Sequence, residues 1–307
     1  MPEGPEVTIT SQYLASKLRN KTISNLEILS GLYTKHPLEG KNLFDAEKYT
    51  VLNVDSKGKL IWFILENIRT KNIIYMISHL GLTGEWSFYE DKNDRIKFKV
   101  SDNNKIYTLY YSDDRNFGSI MITEDKQILK DKQNKLAPDL LKTDFDDETF
   151  IEWIDNFKNK SKARFNMILG KILMNQDLKN GIGSGIGNYL GCEILYRAKL
   201  SPHRTIGSLN KKEILNLGYW IKYTMKLAYF HNSIEYISNI SENYINLHRE
   251  GILNGKYPDY HPDIKFKNET FEFLVYRRDI DNFGNPIVAD KNINKPRTTY
   301  WCPKIQK

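Results

Sequence analysis

Met1-Pro2-Glu3-Gly4-Pro5-Glu6 opens the chain and supports two readings. As structure it is a helix start, with proline in the first turn and acids where the helix dipole favours them. Val7, Leu14 and Leu18 come next at near-helical spacing, with Ala15 and Lys17 as good helix formers, which predicts one helix over residues 3–19. As chemistry, loss of Met1 leaves Pro2 with a terminal secondary amine. Such an amine has a pKa of about 8, roughly two units below a lysine, so part of it is uncharged and nucleophilic at neutral pH. Its attack on a sugar C1′ or a carbonyl gives a charged iminium, an electron sink for breaking neighbouring bonds. Glu3 and Glu6 stand near enough in sequence to move the protons this needs.

Beyond the helix the pattern changes to strands. Ile23–Leu29, Leu43–Asn53, Leu60–Asn67, Ile73–Ser78, Trp86–Tyr89, Ile96–Val100, Ile106–Ser112 and Ser119–Thr123 are short, β-branched or aromatic, and separated by Asp, Asn, Gly and Lys turns. Such a run after one helix predicts a β-sandwich or barrel within an α+β, multidomain chain. The polar residues 125–135 read as a linker closing a domain over 1–124. A helical domain is expected over 136–265, from Asp147–Phe157, Ala163–Met174, Asn188–Lys199 and a long helix opened by the capping box Asn210-Lys-Lys-Glu213 and running to Phe230. Asn239–Pro262 reads as a loop. Residues 266–307 return to strands at Phe271–Arg277, Pro286–Asp290 and Thr298–Cys302.

Composition narrows the function. No apolar run reaches membrane-spanning length and no basic-then-apolar leader is present, so an intracellular protein with no membrane partner is expected. Cys192 and Cys302 are the only cysteines, which excludes a disulfide framework and an all-cysteine zinc site. A net charge of +7 over interleaved basic and aromatic residues suits a polyanion, although mildly basic surfaces also occur on proteins that bind none.

Asn180-Gly-Ile-Gly-Ser-Gly-Ile-Gly187 lacks the G-x-G-x-x-G spacing and the preceding strand of a dinucleotide fingerprint. Lying between two helices, it permits a tight bend, with Asn188 placed to cap the second helix while free N–H groups face an anion. An ordinary glycine-rich turn is the plainer reading. Gly58-Lys59 presents a lysine at a strand start. Ser78–Gly84 and Asp113–Gly118 are loops that display an apolar side chain, and an arginine with an aromatic, which a wedge into a base stack requires. Each loop alone also reads as structure, and His79 as a satisfied loop histidine.

Taken in order, Pro2-Glu3-Gly4-Pro5-Glu6, Gly58-Lys59, Ser78–Gly84, Asp113–Gly118, Leu136-Ala137-Pro138-Asp139, Gly185-Ile186-Gly187-Asn188-Tyr189 and Arg297-Thr-Thr-Tyr-Trp-Cys302-Pro resemble the formamidopyrimidine-DNA glycosylase/endonuclease VIII family of base-excision repair enzymes. The resemblance implies a helix-capped β-sandwich, a helix-two-turn-helix domain and a β-hairpin finger, with damaged DNA, double- or single-stranded, between the domains of a monomer and the damaged base flipped out. It makes Pro2 the nucleophile at C1′, Glu3 the acid/base for sugar-ring opening and Glu6 a supporting group. Successive β- and δ-elimination then nick the strand. Lys59 and Asn188 grip phosphates, with Lys59 also moving protons, and Arg297 joins them from the finger. Leu82, Arg115 and Phe117 fill the void left by the flipped nucleotide.

Two departures qualify this. Asn116 stands where many relatives have a second arginine. The family's finger holds zinc with two C-x-x-C pairs, whereas here the partner position of Cys302 is Ile305 and Phe283-Gly-Asn-Pro286 replaces the first pair. No cofactor and no zinc are therefore expected. Packing by Tyr276, Phe283, Tyr300 and Trp301 would close a hairpin across residues 277–297, as in the zinc-less Nei-like subgroup, which favours oxidised pyrimidines and ring-opened purines over 8-oxoguanine. The Asn-, Lys- and Ile-rich composition fits an AT-rich genome such as that of a large DNA virus. A DNA-binding module that has lost its chemistry would not keep Pro2, Glu3 and Lys59 together. A tautomerase using a terminal proline is a much shorter chain.

Overall fold

The computed structural model describes residues 2–103, 105–231, 250, 260–261, 263–265 and 269–307. The loop expected over Asn239–Pro262 falls almost wholly outside them. Two compact units result. Pro2 and Glu6–Asn134 belong to the first; Glu3–Pro5 and the described residues of 135–231 and 260–307 belong to the second.

Helix α1 (Gly4–Leu18) forms where the spacing places it and stops where Asn20 turns left-handed at φ 63°. Val7, Leu14 and Leu18 are fully buried in one core with Ile23, Val51 and Phe63. Eight antiparallel strands come after it: β1 (Thr22–Ile28), β2 (Lys48–Lys57), β3 (Leu60–Asn67), β4 (Ile73–His79), β5 (Gly84–Ser87), β6 (Asp94–Asp102), β7 (Lys105–Asp113) and β8 (Ser119–Thr123). They make one continuous sheet in the order β5-β7-β6-β1-β2-β3-β4-β8. The sandwich arises because this sheet folds over itself. Phe63 on β3 packs against Trp86 on β5 at 5.1 Å, and the Trp86 indole donates to Ser78 Oγ on β4 at 3.1 Å, although β5 lies at the opposite edge of the hydrogen-bonding order. The strand expected over Leu43–Asn53 starts only at Lys48: residues 41–44 coil into a 3-10 turn, and Ala46 at φ 61° breaks the extended run.

Residues 125–135, expected as a linker, carry helix α2 (Lys126–Lys135). Their Lys and Gln are good helix formers, and Leu129 alone is buried, so the apolar stripe that marks a helix is one residue wide.

In the second unit, α3 (Asp147–Lys158) is capped by the Asp146 side chain, which accepts from Thr149 N–H at 2.8 Å. The helix expected over Ala163–Met174 is broken into α4 (Lys162–Phe165) and α5 (Leu169–Ile172), because Leu169 N–H is taken by Arg204 O at 2.8 Å and Gly170 N–H by Pro202 O at 3.0 Å. After α6 (Asn188–Arg197), the capping box of Asn210 and Glu213 opens α7 (Lys211–Phe230) as the sequence predicts. The chain ends in a hairpin of β9 (Val288–Asn294) and β10 (Arg297–Trp301) turning at Lys295-Pro296. This hairpin is shorter than the one expected across 277–297. Phe271–Arg277 forms no strand, because a buried carboxylate on α6 takes three of its N–H groups.

Candidate active site and nucleic-acid interface

The start of α6 is organised by a carboxylate from the far end of the chain. Glu3 is fully buried, and its oxygens accept from Gly187 N–H at 2.7 Å, Tyr189 N–H at 3.0 Å and Leu190 N–H at 3.2 Å. Helix N-termini leave these donors without intrahelical partners and favour negative charge. The anion that the glycine-rich bend was expected to attract is thus, in part, the chain's own. Gly187 is required, since a Cβ there would lie 2.3 Å from the Glu3 carboxylate. Gly4 N–H, on Gly185 O at 2.7 Å, fixes the same bend.

Asn188 does not cap α6. The cap position is Gly187, and the Asn188 amide donates to Thr298 O on β10 at 2.8 Å, while its Oδ1 is buried without a partner among the described residues. This ties the helix start to the strand that carries Arg297. Beside it, Lys171, Lys295 and Arg297 line one recess with Asn175, Asn292 and Asn294, a cavity of about 620 Å³ whose only charged groups are cationic. Lys171 and Lys295 carry no distinguishing signal in the sequence.

Two carboxylates hold the residues around the finger. Glu193 on α6 is fully buried; it pairs with Arg197 at 2.8 Å and accepts from the N–H groups of Leu274, Val275 and Tyr276 at 2.9–3.0 Å. Those are the donors that the expected strand Phe271–Arg277 would have offered to a ladder. Asp281, 2% exposed, accepts from Phe283 N–H at 2.9 Å, Asn285 N–H at 2.8 Å, the Asn285 amide at 2.9 Å and the Tyr196 hydroxyl of α6 at 3.1 Å. Burial pushes the Asp281 carboxyl up, but the hydrogen bonds from Asn285, Phe283 and Tyr196 outweigh it and hold the group at about 2. Because the folded value is depressed, this clasp contributes fully above the ordinary carboxylate range and is lost progressively as pH falls from that range through about 2. Phe283, expected to pack, instead stands 78% exposed at the turn that Asp281 holds.

The described finger residues do not assemble the donor set of the zinc that the resemblance implies. Cys302 is fully buried among Cys192, Tyr196 and Val275, with Ile305 packed against the same cluster. Its N–H is taken by Gln306 Oε1 at 2.7 Å, and no other sulfur or imidazole lies in residues 269–307. Two buried thiols among apolar groups, with Cys192 Sγ accepting from Tyr300 N–H at 3.2 Å, do not supply the four donors of a tetrahedral thiolate site.

In the first unit, Pro2 is half-buried just before α1, and Glu6, in the first turn of α1, is buried. Gly58-Lys59 forms the two-residue turn between β2 and β3, so Lys59 sits at a hairpin tip rather than a strand start. His79 ends β4; burial and the charge of Lys132 lower its pKa, against a raising hydrogen bond with the Lys59 backbone.

The two expected wedge loops are locked together by the acid that opens the second of them. Buried Asp113 accepts from the Thr83 hydroxyl at 2.5 Å and from Gly118 N–H at 2.7 Å, and Thr83 Oγ1 accepts from Arg115 N–H at 3.1 Å. Gly81, at φ 60°, lies against the Phe117 backbone, where a Cβ would come within 2.5 Å. Leu82 is therefore held beside exposed Arg115 and Phe117. Asn116 does not replace the missing arginine; its Oδ1 accepts from Leu32 N–H at 3.2 Å and braces a neighbouring turn. For Leu82→Ala we expect excision from paired duplex to fall several-fold more than excision from single strands, where no stack has to be opened. Matched rate measurements on the two substrates check this, and equal losses remove Leu82 from the wedge.

The profile of the formamidopyrimidine-DNA glycosylase N-terminal domain matches residues 1–120, and that of the C-terminal domain matches residues 262–307. A formamidopyrimidine-DNA glycosylase of Wolbachia pipientis subsp. Culex pipiens is 32% identical over 234 residues, covering 74% of this chain and 78% of that protein. One from Prochlorococcus marinus (strain MIT 9312) is 27% identical over an alignment that spans the whole of both chains. A solved complex of wild-type Lactococcus lactis Fpg (MutM) with DNA containing an oxidized pyrimidine shares the fold at TM-score 0.70 and 22% identity, again covering both chains completely. With these matches at both ends of the chain, and with the α+β architecture and terminal hairpin in place, the protein belongs to the formamidopyrimidine-DNA glycosylase family.

Proposed function

We propose that this protein is a bifunctional DNA glycosylase and abasic-site lyase of base-excision repair, acting as a monomer on damaged DNA. The observation that carries the reading is Glu3, which directly follows Pro2 and is held by three backbone N–H groups at the start of α6. An acid fixed that firmly next to a terminal secondary amine suits a reaction in which amine and carboxyl must act on one sugar.

Pro2 nitrogen attacks C1′, and the bond from C1′ to the damaged base breaks with the electron pair leaving on the base. Glu3 takes up the N–H proton that the attached amine loses and delivers it to O4′ as the C1′–O4′ bond breaks, which leaves the C1′–N bond as an iminium. That iminium acidifies the C2′ proton; its removal expels the 3′ phosphate, and a second elimination expels the 5′ phosphate. Water then releases Pro2. Lys59, Asn188 and Arg297 hold phosphates, with Lys171 and Lys295 beside Arg297 adding charge to the same recess. Lys59 also moves protons and Glu6 supports Glu3. Leu82, Arg115 and Phe117 occupy the vacated stack. The finger performs its part without zinc, held by Glu193 and Asp281.

The substrates are oxidised pyrimidines and ring-opened purines in preference to 8-oxoguanine, in double- and single-stranded DNA. The name borne by the relatives and the oxidized pyrimidine of the Lactococcus complex support this class. Single-turnover excision from oligonucleotides carrying oxidised pyrimidines, hydantoins, formamidopyrimidines or 8-oxoguanine tests it. Excision with strand nicking, slowest on 8-oxoguanine, is expected; no excision of any lesion would overturn the reading.

A further inference from the structure

Away from Glu3 and from the finger, three side chains of the second unit converge. Asp144, His261 and Asp263 each place one ligand atom within 4.8 Å of the others'. His261 is 2% exposed, and its Nε2 lies 2.8 Å from Leu140 O. A carbonyl can only accept, so Nε2 carries the proton, and the neutral ring has its lone pair on Nδ1. That Nδ1 is buried and has no hydrogen-bond partner among the described residues. An imidazole whose other nitrogen donates to a backbone carbonyl is the arrangement that orients metal-ligating histidines.

The carboxylates are prepared in the same way. Lys222 Nζ donates to Asp263 Oδ2 at 2.7 Å and to Phe145 O at 3.2 Å, which fixes the Asp263 carboxylate. Asp144 and Asp263 are both exposed and line a surface recess with Phe145, Asp146 and Thr149. Two ammonium groups brace the cluster from the protein side, Lys222 on Asp263 and Lys226 on His261 O at 2.8 Å, while the two carboxylates face the recess. Asp146 is already engaged as the cap of α3.

We propose that His261, Asp144 and Asp263 form a binding site for one divalent transition-metal cation. One imidazole with two carboxylates is a donor set for zinc or manganese, with coordination completed by water from the recess. The site is separate from the thiolate position that the family's finger uses, and it does not depend on the proposed glycosylase reading. Occupied, it joins the chain just before α3 to His261 and Asp263.

The test uses the full chain, stripped with chelator and titrated with Zn²⁺ and, separately, Mn²⁺ by calorimetry, with thermal melts alongside. We expect one equivalent of at least one of these ions to bind with micromolar or tighter affinity and to raise the melting temperature. Asp144→Asn, at an exposed position where the fold does not depend on the charge, weakens binding by roughly tenfold or more. His261→Ala abolishes it, provided that its metal-free melting curve shows a folded protein. Cys302→Ser leaves it unchanged. Absence of saturable binding, affinity unaltered by Asp144→Asn, or affinity lost with Cys302→Ser would each overturn the proposal. In the first case the Nδ1 lone pair is met by water alone.

Discussion

Borohydride added during turnover traps a covalent protein–DNA adduct, and peptide mapping places it on Pro2. The chemistry behind this expectation is the iminium, which only an amine bonded to C1′ can form and which hydride reduces to a stable amine linkage. Pro2→Gly keeps a terminal amine but a primary one, and loses most turnover. A tag left on the N-terminus turns the amine into an amide, whose lone pair is delocalised, and takes nicking to background. Binding to a duplex with a stable abasic analogue survives in both, because Lys59, Asn188 and Arg297 are untouched. An adduct mapped to Lys59, with full activity in the tagged protein, would remove Pro2 from the reaction.

Glu3→Gln has the second large effect, and the geometry shows how its two consequences separate. The amide offers one acceptor oxygen where the carboxylate offers two to the N–H groups of Gly187, Tyr189 and Leu190. Its NH2 must face donors. The start of α6 therefore loses charge-assisted bonds, and stability falls by about 1–3 kcal/mol. Excision falls much further, by roughly 10²–10⁴, because the titratable proton is gone. Measured together, a melting curve that stays cooperative and a rate that collapses assign Glu3 to chemistry. A lost thermal transition would show that its task is to hold the helix.

How legible each element is in the sequence depends on the range of the interaction that makes it. The capping box Asn210–Glu213 spans three residues and is legible, as are α1 and the position of β3 (Leu60–Asn67), because local spacing determines them. The break between α4 and α5 is not: its cause is Arg204 and Pro202, far along the chain, taking the N–H groups of Leu169 and Gly170. Nor is the fate of Phe271–Arg277, which has strand composition but gives its donors to Glu193. The eight strands are visible, but not that they form one sheet folded over itself, since register and closure are long-range properties. At the site, Glu3 and Asn188 stand out, yet their attachments to α6 and to Thr298 do not. Asp113 lies in a quoted loop but nothing there gives it a locking task, and Glu193 and Asp281 are not distinguished from solvated acids.

The carboxylate clasps around the finger bear on the conditions in which such a protein works. Oxidised bases accumulate when peroxide and radicals are abundant, and those agents also convert thiolates to sulfenic and higher acids. A finger held by four zinc thiolates carries its weakest bonds into that setting. Here Glu193 and Asp281 do the holding, and carboxylates have no comparable oxidation step. The remaining sulfurs are withdrawn from attack: Cys302 is fully buried, and burial raises the Cys192 pKa, keeping it as the unreactive thiol. On the zinc-free reading proposed above, neither an oxidative burst nor scarce zinc removes a group that holds this finger.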